Sequence, residues 1–427
     1  MNKQFIVFVI CLIAVTSIIS WSLPAAAQMV TVPTPTVIGP IQETDTPGDS
    51  SHDYIFFTPK EDLAAFGYVE EEFFMEGEAY RYNTPEGATG SISSGPYPYK
   101  TRIVVRRPEK ARDFNGVVIL EWQNVTAGYE LDAHWGPSWD HFVKYGYAWV
   151  GVSAQQVGVH GYPAWVGLGE NGLKNWSARY ASLDLTAGGA FPVLHPVLAD
   201  ALCYDVYSQA AQTIRNPADV DPMGGLPVDM LLAVGASQSA GRLSIYHNSI
   251  HPLHNVVDGF YLLVGGDGLR TDLDVKVFQY LSETDIARGP NRRMADSDVF
   301  RSWEVAAAGH SSWVSQVYRE PLVLRDFGEE VFPPICDLPP YSRVRSYFVI
   351  NVQYDHLVDW VKHGIAPPIA PKIEFFSEDP PIIARNDLGI ALGGIRLPEV
   401  EVPTALNTGI NSGSTFCSLY GTYQPFD

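Results

Sequence analysis

Six short apolar runs, each bounded by turn residues, constrain this chain more than any other feature. They are "GVVILEWQN" (116–124), "YGYAWVGVSAQ" (145–155), "VDMLLAV" (228–234), "VDGFYLLVGG" (257–266), "DVKVFQYLS" (274–282) and "RSWEVAAAGH" (301–310). A run that is apolar at consecutive positions, not at every second one, is buried on both faces. Between the runs, "DVYSQAAQTIRN" (205–216) and "SAGRLSIYHN" (239–248) have helical spacing. The expected class is therefore α/β: a mainly parallel central sheet with helices on both faces. Upstream, "YVEEEFFMEGEAYRY" (68–82) and "KTRIVVRRP" (100–108) read as an antiparallel strand pair.

The ends of the chain have a different character. Lys3, the apolar run "FIVFVICLIAVTSII" and "AAA" at 25–27 fit a signal peptide over residues 1–27. The run is short for a membrane anchor, which needs about 20 residues. Cys11 follows Phe8, Val9 and Ile10, which are too large for a lipid-attachment site. Residues 28–52 read as an extended lead-in, and 53–427 as one α/β domain. That domain carries an insertion at about 157–200 and a loop-rich C-terminal extension, 313–427. The extension holds one expected helix, "RVRSYFVINVQYDHLVDWVKHG", stopped by Gly364. His356 should pack on it.

With 48 acidic against 28 basic residues, the formal charge is −20, and −21 once Lys3 is removed. Nucleic acid is thereby an unexpected partner, and no apolar run beyond the leader suits a membrane. The expected location is the periplasm or outside the cell. Three cysteines follow the leader. Cys336 and Cys417, both in the loop-rich extension, are expected to form a disulfide, and Cys203 reads as a buried helical thiol. They are too far apart for a zinc site. His247, His251 and His254 have helical spacing, but Pro252 interrupts them and no acid or cysteine completes a set. They read as a surface helix end, so no metal or cofactor is expected.

The chemistry centres on "AVGASQSAGRL" (233–243), which holds two serines, each in a small-x-Ser-x-small pattern. A serine attacks only when a base takes its proton, and a sharp strand-to-helix turn lifts it clear of the sheet. Ending the strand at Val234 lets Gly235 begin the turn and puts Ser237 at its apex. Ser239 then lies in the first helical turn. An apex at Ser239 would carry the strand through Gly235 and Ala236, poor strand residues. For both serines, plain helix N-capping is the alternative. Just past the next strands come Glu283 and Asp285 in "ETDIAR", and then His310. The order Ser237, Asp285, His310 is that of α/β-hydrolases. His310 would be the general base, and Asp285 would orient it. Glu283 is the alternative acid, because it lies nearer the strand end. The oxyanion-hole donors would be the N–H of Gln238 and that of Asn124 or Val125. Trp122, Gln155, Gln156 and Trp165 are candidate pocket-wall residues, each with a core reading of equal standing. Asn124 also begins a glycosylation sequon, a poor place for a glycan if it serves the site.

The segments "GYVEEEFFMEGEAY", "VVILEWQNVTAG", "YAWVGVSAQQVGV", "VGASQSAGRL", "FQYLSETD", "WEVAAAGH", "LGGIRLPEVEVPTA" and "CSLYG" together resemble the bacterial exported alpha/beta hydrolase domain-containing proteins, over about 55 to 425. The resemblance implies an α/β-hydrolase fold and a triad of Ser237, Asp285 or Glu283, and His310, with the C-terminal extension part of the same unit. Ser311 and Ser312 depart from the acid more usual after the histidine. The expected function is an exported serine carboxylesterase that takes a small or medium ester through an acyl-enzyme. The alternatives are a catalytically silent binding protein on the same scaffold, or a lyase or acyltransferase with the same triad.

Overall fold

The structure, a computed structural model, describes residues 29–162, 171–186, 200, 202–330, 334–414 and 416–426. The leader expected at 1–27 and Trp165 lie outside these residues. The six apolar runs become β4 (Val117–Trp122), β5 (Ala148–Val152), β6 (Met230–Ala236), β7 (Gly259–Leu263), β8 (Lys276–Ser282) and β9 (Phe300–Val305). They are preceded by β1 (Thr36–Ile38), β2 (Tyr68–Asn83) and β3 (Ser91–Pro108). All nine form one sheet in the order β1-β2-β3-β5-β4-β6-β7-β8-β9. Strands β4 to β9 are mutually parallel, whereas β1, β2 and β3 pair antiparallel, as does β3 with β5.

The parallel strands are apolar throughout because both faces are covered. On β6, Leu231 and Ala233 point to one core while Met230, Leu232 and Val234 point to the other, the period-2 alternation of a strand. The first face is covered by the helices Cys203–Arg215 and Gln238–Ile245, and the second by Trp135–Tyr145 and Tyr347–His363. His356 on the last of these meets the edge of Trp303. Chain order reverses between β4 and β6, and in such sheets the crevice beyond the strand C-termini at that switch point is where ligands bind.

The hairpin β2–β3 explains the three glutamates of "YVEEEFF", of which Glu71 pairs with Arg107 at 2.6 Å. Glu70 lies across from Arg106 in register, and their side chains pair at 2.8 Å. Glu72 and Glu130 both grip Arg102 at 2.8 Å, all three fully buried. Buried charges persist only when paired and hydrogen-bonded. β3 begins at Ser91, well before the expected "KTRIVVRRP", and the stretch read as a lead-in supplies β1. Cys336 and Cys417 form a disulfide, and Cys203 is buried and free. Among the described residues, no helix is long and apolar enough to cross a membrane.

One expectation needs correction. His247, His251 and His254 do not mark a surface helix end; all three are buried. Pro252 does not expel them, because it sits at the start of a new helical turn, His251–His254, where its missing N–H costs nothing. His247 and His251 meet the edge of Phe260, while His254 bonds Ser208 Oγ at 2.7 Å and Tyr82 Oη at 2.9 Å. Burial pushes them down to about 4, 3 and 4 respectively, and His134 likewise to about 4.

These four imidazoles stay neutral in the fold but take protons in the unfolded chain below about pH 6.5. Between that pH and about 4 the unfolded state holds more protons, so stability falls as pH falls. Burial also pushes Glu121, Asp200 and Asp205 up, to about 8, 6 and 6, which opposes the histidines, so we expect a shallow net drop in the urea midpoint between about pH 6.5 and pH 5. A midpoint that holds constant across that range contradicts this account of the histidines.

Candidate active site

β6 runs two residues further than expected, to Ala236, because Gly235 and Ala236 still pair with β7. The turn is tighter for it. Ser237 follows the last strand residue directly, with φ 55° and ψ −115°, and the helix begins at Gln238. A non-glycine residue held at positive φ costs about 1–3 kcal/mol and persists only where its surroundings enforce it. Here they do. A Cβ on Gly235 would lie 2.9 Å from the carbonyl of Ser239, and one on Gly265 would lie 2.8 Å from the Ser237 carbonyl oxygen. A Cβ on Gly241 would meet nothing within 4 Å. The crowding is centred on Ser237, so the second serine pattern is incidental.

The two hydroxyls are used differently. Ser239 Oγ accepts from the N–H of Ala236 at 2.9 Å and donates to its carbonyl at 2.8 Å. Ser237 makes no capping bond to the helix it precedes. It faces a cavity of ≈ 340 Å³ that His310 also lines.

Asp285 sits in the single-turn helix Glu283–Ile286 after β8. The capping box with Ser282 fixes it: Asp285 Oδ2 accepts from Ser282 N at 3.0 Å and Ser282 Oγ at 2.6 Å. Its other oxygen, Oδ1, lies 2.7 Å from His310 Nδ1. Burial works to raise the carboxyl, but the His310 charge and these hydrogen bonds outweigh it and hold Asp285 below the ordinary carboxylate value.

Glu283, the alternative acid, is turned away. It accepts from Ala307 N at 2.8 Å, from Arg385 at 2.6 Å and from Thr408 Oγ1 at 3.0 Å. It therefore braces the loop that carries His310. Neighbouring groups complete the brace. Thr284 Oγ1 accepts from His310 N at 3.1 Å and donates to Gly409 O, while Ser311 N donates to Leu419 O at 2.9 Å. Gly309 must be glycine here, because a Cβ would sit 2.6 Å from the Tyr420 carbonyl oxygen.

Of the two candidates in the loop after β4, Asn124 is excluded as an oxyanion donor. Its N–H donates to Leu131 O at 3.2 Å, and its side chain holds Ala236 O at 2.8 Å. It is buried, which also rules out a glycan. Val125 remains as the candidate from this loop; its side chain packs on Val157 and Tyr162. The expected wall residues need correction too. Trp122 donates to Gln155 Oε1 at 3.0 Å inside the core, and Gln156 donates to Leu185 O at 2.9 Å. None of the three lines the cavity; Trp165 is not among the described residues. The walls come instead from the 126–137 loop, the helix Trp313–Phe327 and the segment around Tyr420. Their signal in the sequence is only a scatter of aromatics, with no periodicity to connect them.

A doubly wound sheet with a strained serine turn at its switch point, and an Asp–His pair delivered at the ends of β8 and β9, defines an α/β-hydrolase fold. The chain belongs to the alpha/beta hydrolase domain family, whose model matches residues 37–427. Similar solved structures include acetyl xylan esterase 1 of Thermoanaerobacterium sp. (11% identity, covering 58% of this chain and 80% of that one, TM-score 0.31). The glucuronoyl esterase of Solibacter usitatus is another (9% identity, 64% and 74%, TM-score 0.27). An esterase of Thermogutta terrifontis is a third (10% identity, 43% and 66%, TM-score 0.23). No curated protein matches the chain.

The brace makes a prediction. Glu283→Ala leaves the Ala307 N–H and Arg385 without their acceptor. Removing one partner of a buried pair costs about 3–5 kcal/mol, and Arg385 can turn partly to solvent, so about 3 kcal/mol is expected. Chemical denaturation measures it. A loss below about 1 kcal/mol, the scale of a surface pair, would show that the loop does not depend on Glu283.

Proposed function

We propose that the protein is an exported serine carboxylesterase working through Ser237, His310 and Asp285. The observation that carries the reading is the Asp285–His310 pair at 2.7 Å on the rim of the cavity that the strained Ser237 faces. Asp285, ionised, accepts the Nδ1 proton and leaves Nε2 of His310 as the base. Ser237 Oγ attacks the ester carbonyl carbon as its proton passes to Nε2. The oxyanion takes the N–H groups of Gln238 and Val125. Collapse breaks the bond to the alcohol oxygen, which leaves with the proton from His310. Water then attacks the acyl-enzyme, His310 takes its proton, and the acid departs as Ser237 regains a hydrogen.

Export is supported by the leader-like residues 1–27 and by the Cys336–Cys417 disulfide, which suits an oxidising compartment. Intact mass of the protein from the native host should place the new N-terminus at Gln28. A cytoplasmic protein retaining Met1 would refute export.

The catalytic reading is tested with a fluorophosphonate probe and a panel of aryl and alkyl esters. Wild type and Ser239→Ala should label. Ser237→Ala should not, and its kcat should fall by about 10⁴-fold or more. Asp285→Asn should lose about 10⁴-fold, because the imidazole is then held in the wrong tautomer. A wild type that neither labels nor turns over any ester would favour a binding protein on this scaffold. Activity that survives Ser237→Ala would move the nucleophile elsewhere.

A further inference from the structure

Arg319 is the unexplained group in the cavity. It lies on the helix Trp313–Phe327, which follows His310 in the chain, and it lines the same cavity as Ser237. It is half-buried. Among the described residues, no carboxylate lies within ion-pair distance of it. The buried arginines of β3 differ: Arg106 holds Glu70 and Asp132, and Arg102 holds Glu72 and Glu130.

Arg319 is nevertheless held in place. It donates to Gln316 Oε1, and Gln316 Nε2 in turn donates to Ser311 Oγ, next to His310. Three tyrosines that line the cavity, Tyr129, Tyr341 and Tyr420, are near enough to feel its charge. Burial raises each of them, and Arg319 offsets part of that rise. The result is an oriented guanidinium fork near phenol hydroxyls, with no ion-paired carboxylate among the described residues. Arginine in such a setting matches a planar carboxylate in two parallel hydrogen bonds.

We infer that Arg319 is a specificity-determining residue that receives a carboxylate carried by the ester substrate, so that the preferred substrates are anionic esters. The inference rests on the serine esterase reading for the reaction, but not for the binding. A monoanion is favoured over a dianion because Glu320 and Glu330 also line the cavity and repel excess negative charge. The apolar and aromatic wall, including Trp313 and Val323, takes the carbon chain between the two ends. A cavity of ≈ 340 Å³ suits a small or medium molecule of this kind.

Two matched ester pairs test the assignment. In the first, the charge is on the acyl side: the para-nitrophenyl half-ester of adipic acid against para-nitrophenyl hexanoate. In the second it is on the alcohol side: para-carboxyphenyl acetate against para-tolyl acetate. In at least one pair, kcat/KM should favour the carboxylate ester by about tenfold or more. That ratio should collapse towards one in Arg319→Leu and be partly kept in Arg319→Lys. Because the readout is a ratio within one enzyme preparation, partial misfolding does not mimic it. The absence of a preference in both pairs, or one that survives Arg319→Leu, overturns the assignment. Calorimetry separates this from failure of the esterase reading. Monomethyl adipate should bind Ser237→Ala more tightly than methyl hexanoate, and the difference should vanish when Arg319→Leu is added. If the binding difference is found but no ester is turned over, the anion site stands and the esterase reading falls. If esters are turned over without any anion preference, the reverse holds.

Discussion

The crossing of backbones at Ser237 is the constraint on which the rest of the site depends. A strand that ends at Ala236 and a helix that starts at Gln238 leave one residue to make the turn, and its positive φ is the consequence. Such a turn survives only where the neighbours are small. Gly235 lets the helix lie against the strand it follows, and Gly265 lets the chain leaving β7 pass under the Ser237 carbonyl. Ser239 contributes by tying its hydroxyl to both backbone groups of Ala236, which fastens the first helical turn to the end of the strand. The strain is local, and what offsets it is the fully buried parallel sheet on either side.

The histidine has no comparable frame of its own. Its loop leaves β9 through three alanines and a glycine, residues that contribute little packing, and Ala307 is itself at positive φ. The loop is held from outside, by groups remote in sequence. Glu283 reaches it from the helical turn after β8, Ser342 donates to Ala307 O, and the backbone at Leu419 and Tyr420 closes over Gly309 and Ser311. The Cys336–Cys417 disulfide joins the two chain segments that supply these last contacts. A C-terminal stretch of loops thus has a defined physical task, which accounts for its presence in an enzyme-sized unit that already has a complete sheet.

What could be read from the sequence followed from locality. The parallel strands are contiguous apolar runs, so their positions could be read directly, as could the order Ser237, Asp285, His310. The turn falls at Ser237, although the strand runs to Ala236 and does not end at Val234; the steric argument at Gly235 and Gly241 takes the place of the register argument. Asp285 and Glu283 could not be separated, since only the folded loop shows that Glu283 faces Arg385 and Thr408 while Asp285 faces His310. The first half of β3, "SISSGPYPY", has the glycine and prolines of a loop, and pairs because β2 lies alongside it. The buried histidines failed for a related reason. Polar residues at helical spacing suggest a solvated face, and nothing local reveals that Phe260 and Ser208 cover them.

The cavity wall illustrates how far apart such partners can be. Asp132, in the loop between β4 and the helix Trp135–Tyr145, accepts from Arg106 at 2.6 Å and from Tyr318 at 2.9 Å through the same oxygen. Arg106 is fixed in turn by Glu70 and lies over the rings of Trp135 and Trp149. Gly136 is small enough for the Tyr318 ring to pass, since a Cβ there would stand 2.8 Å from it. The helix that carries Arg319 is therefore docked through a chain of buried contacts that starts at the antiparallel edge of the sheet. Tyr318 and Arg319 are adjacent in sequence, so one is anchored inward at Asp132 while the other is turned to the cavity. An anchor of this kind lets the guanidinium remain without an ion-paired carboxylate among the described residues: the helix is held by Tyr318, and Arg319 is left available to a ligand.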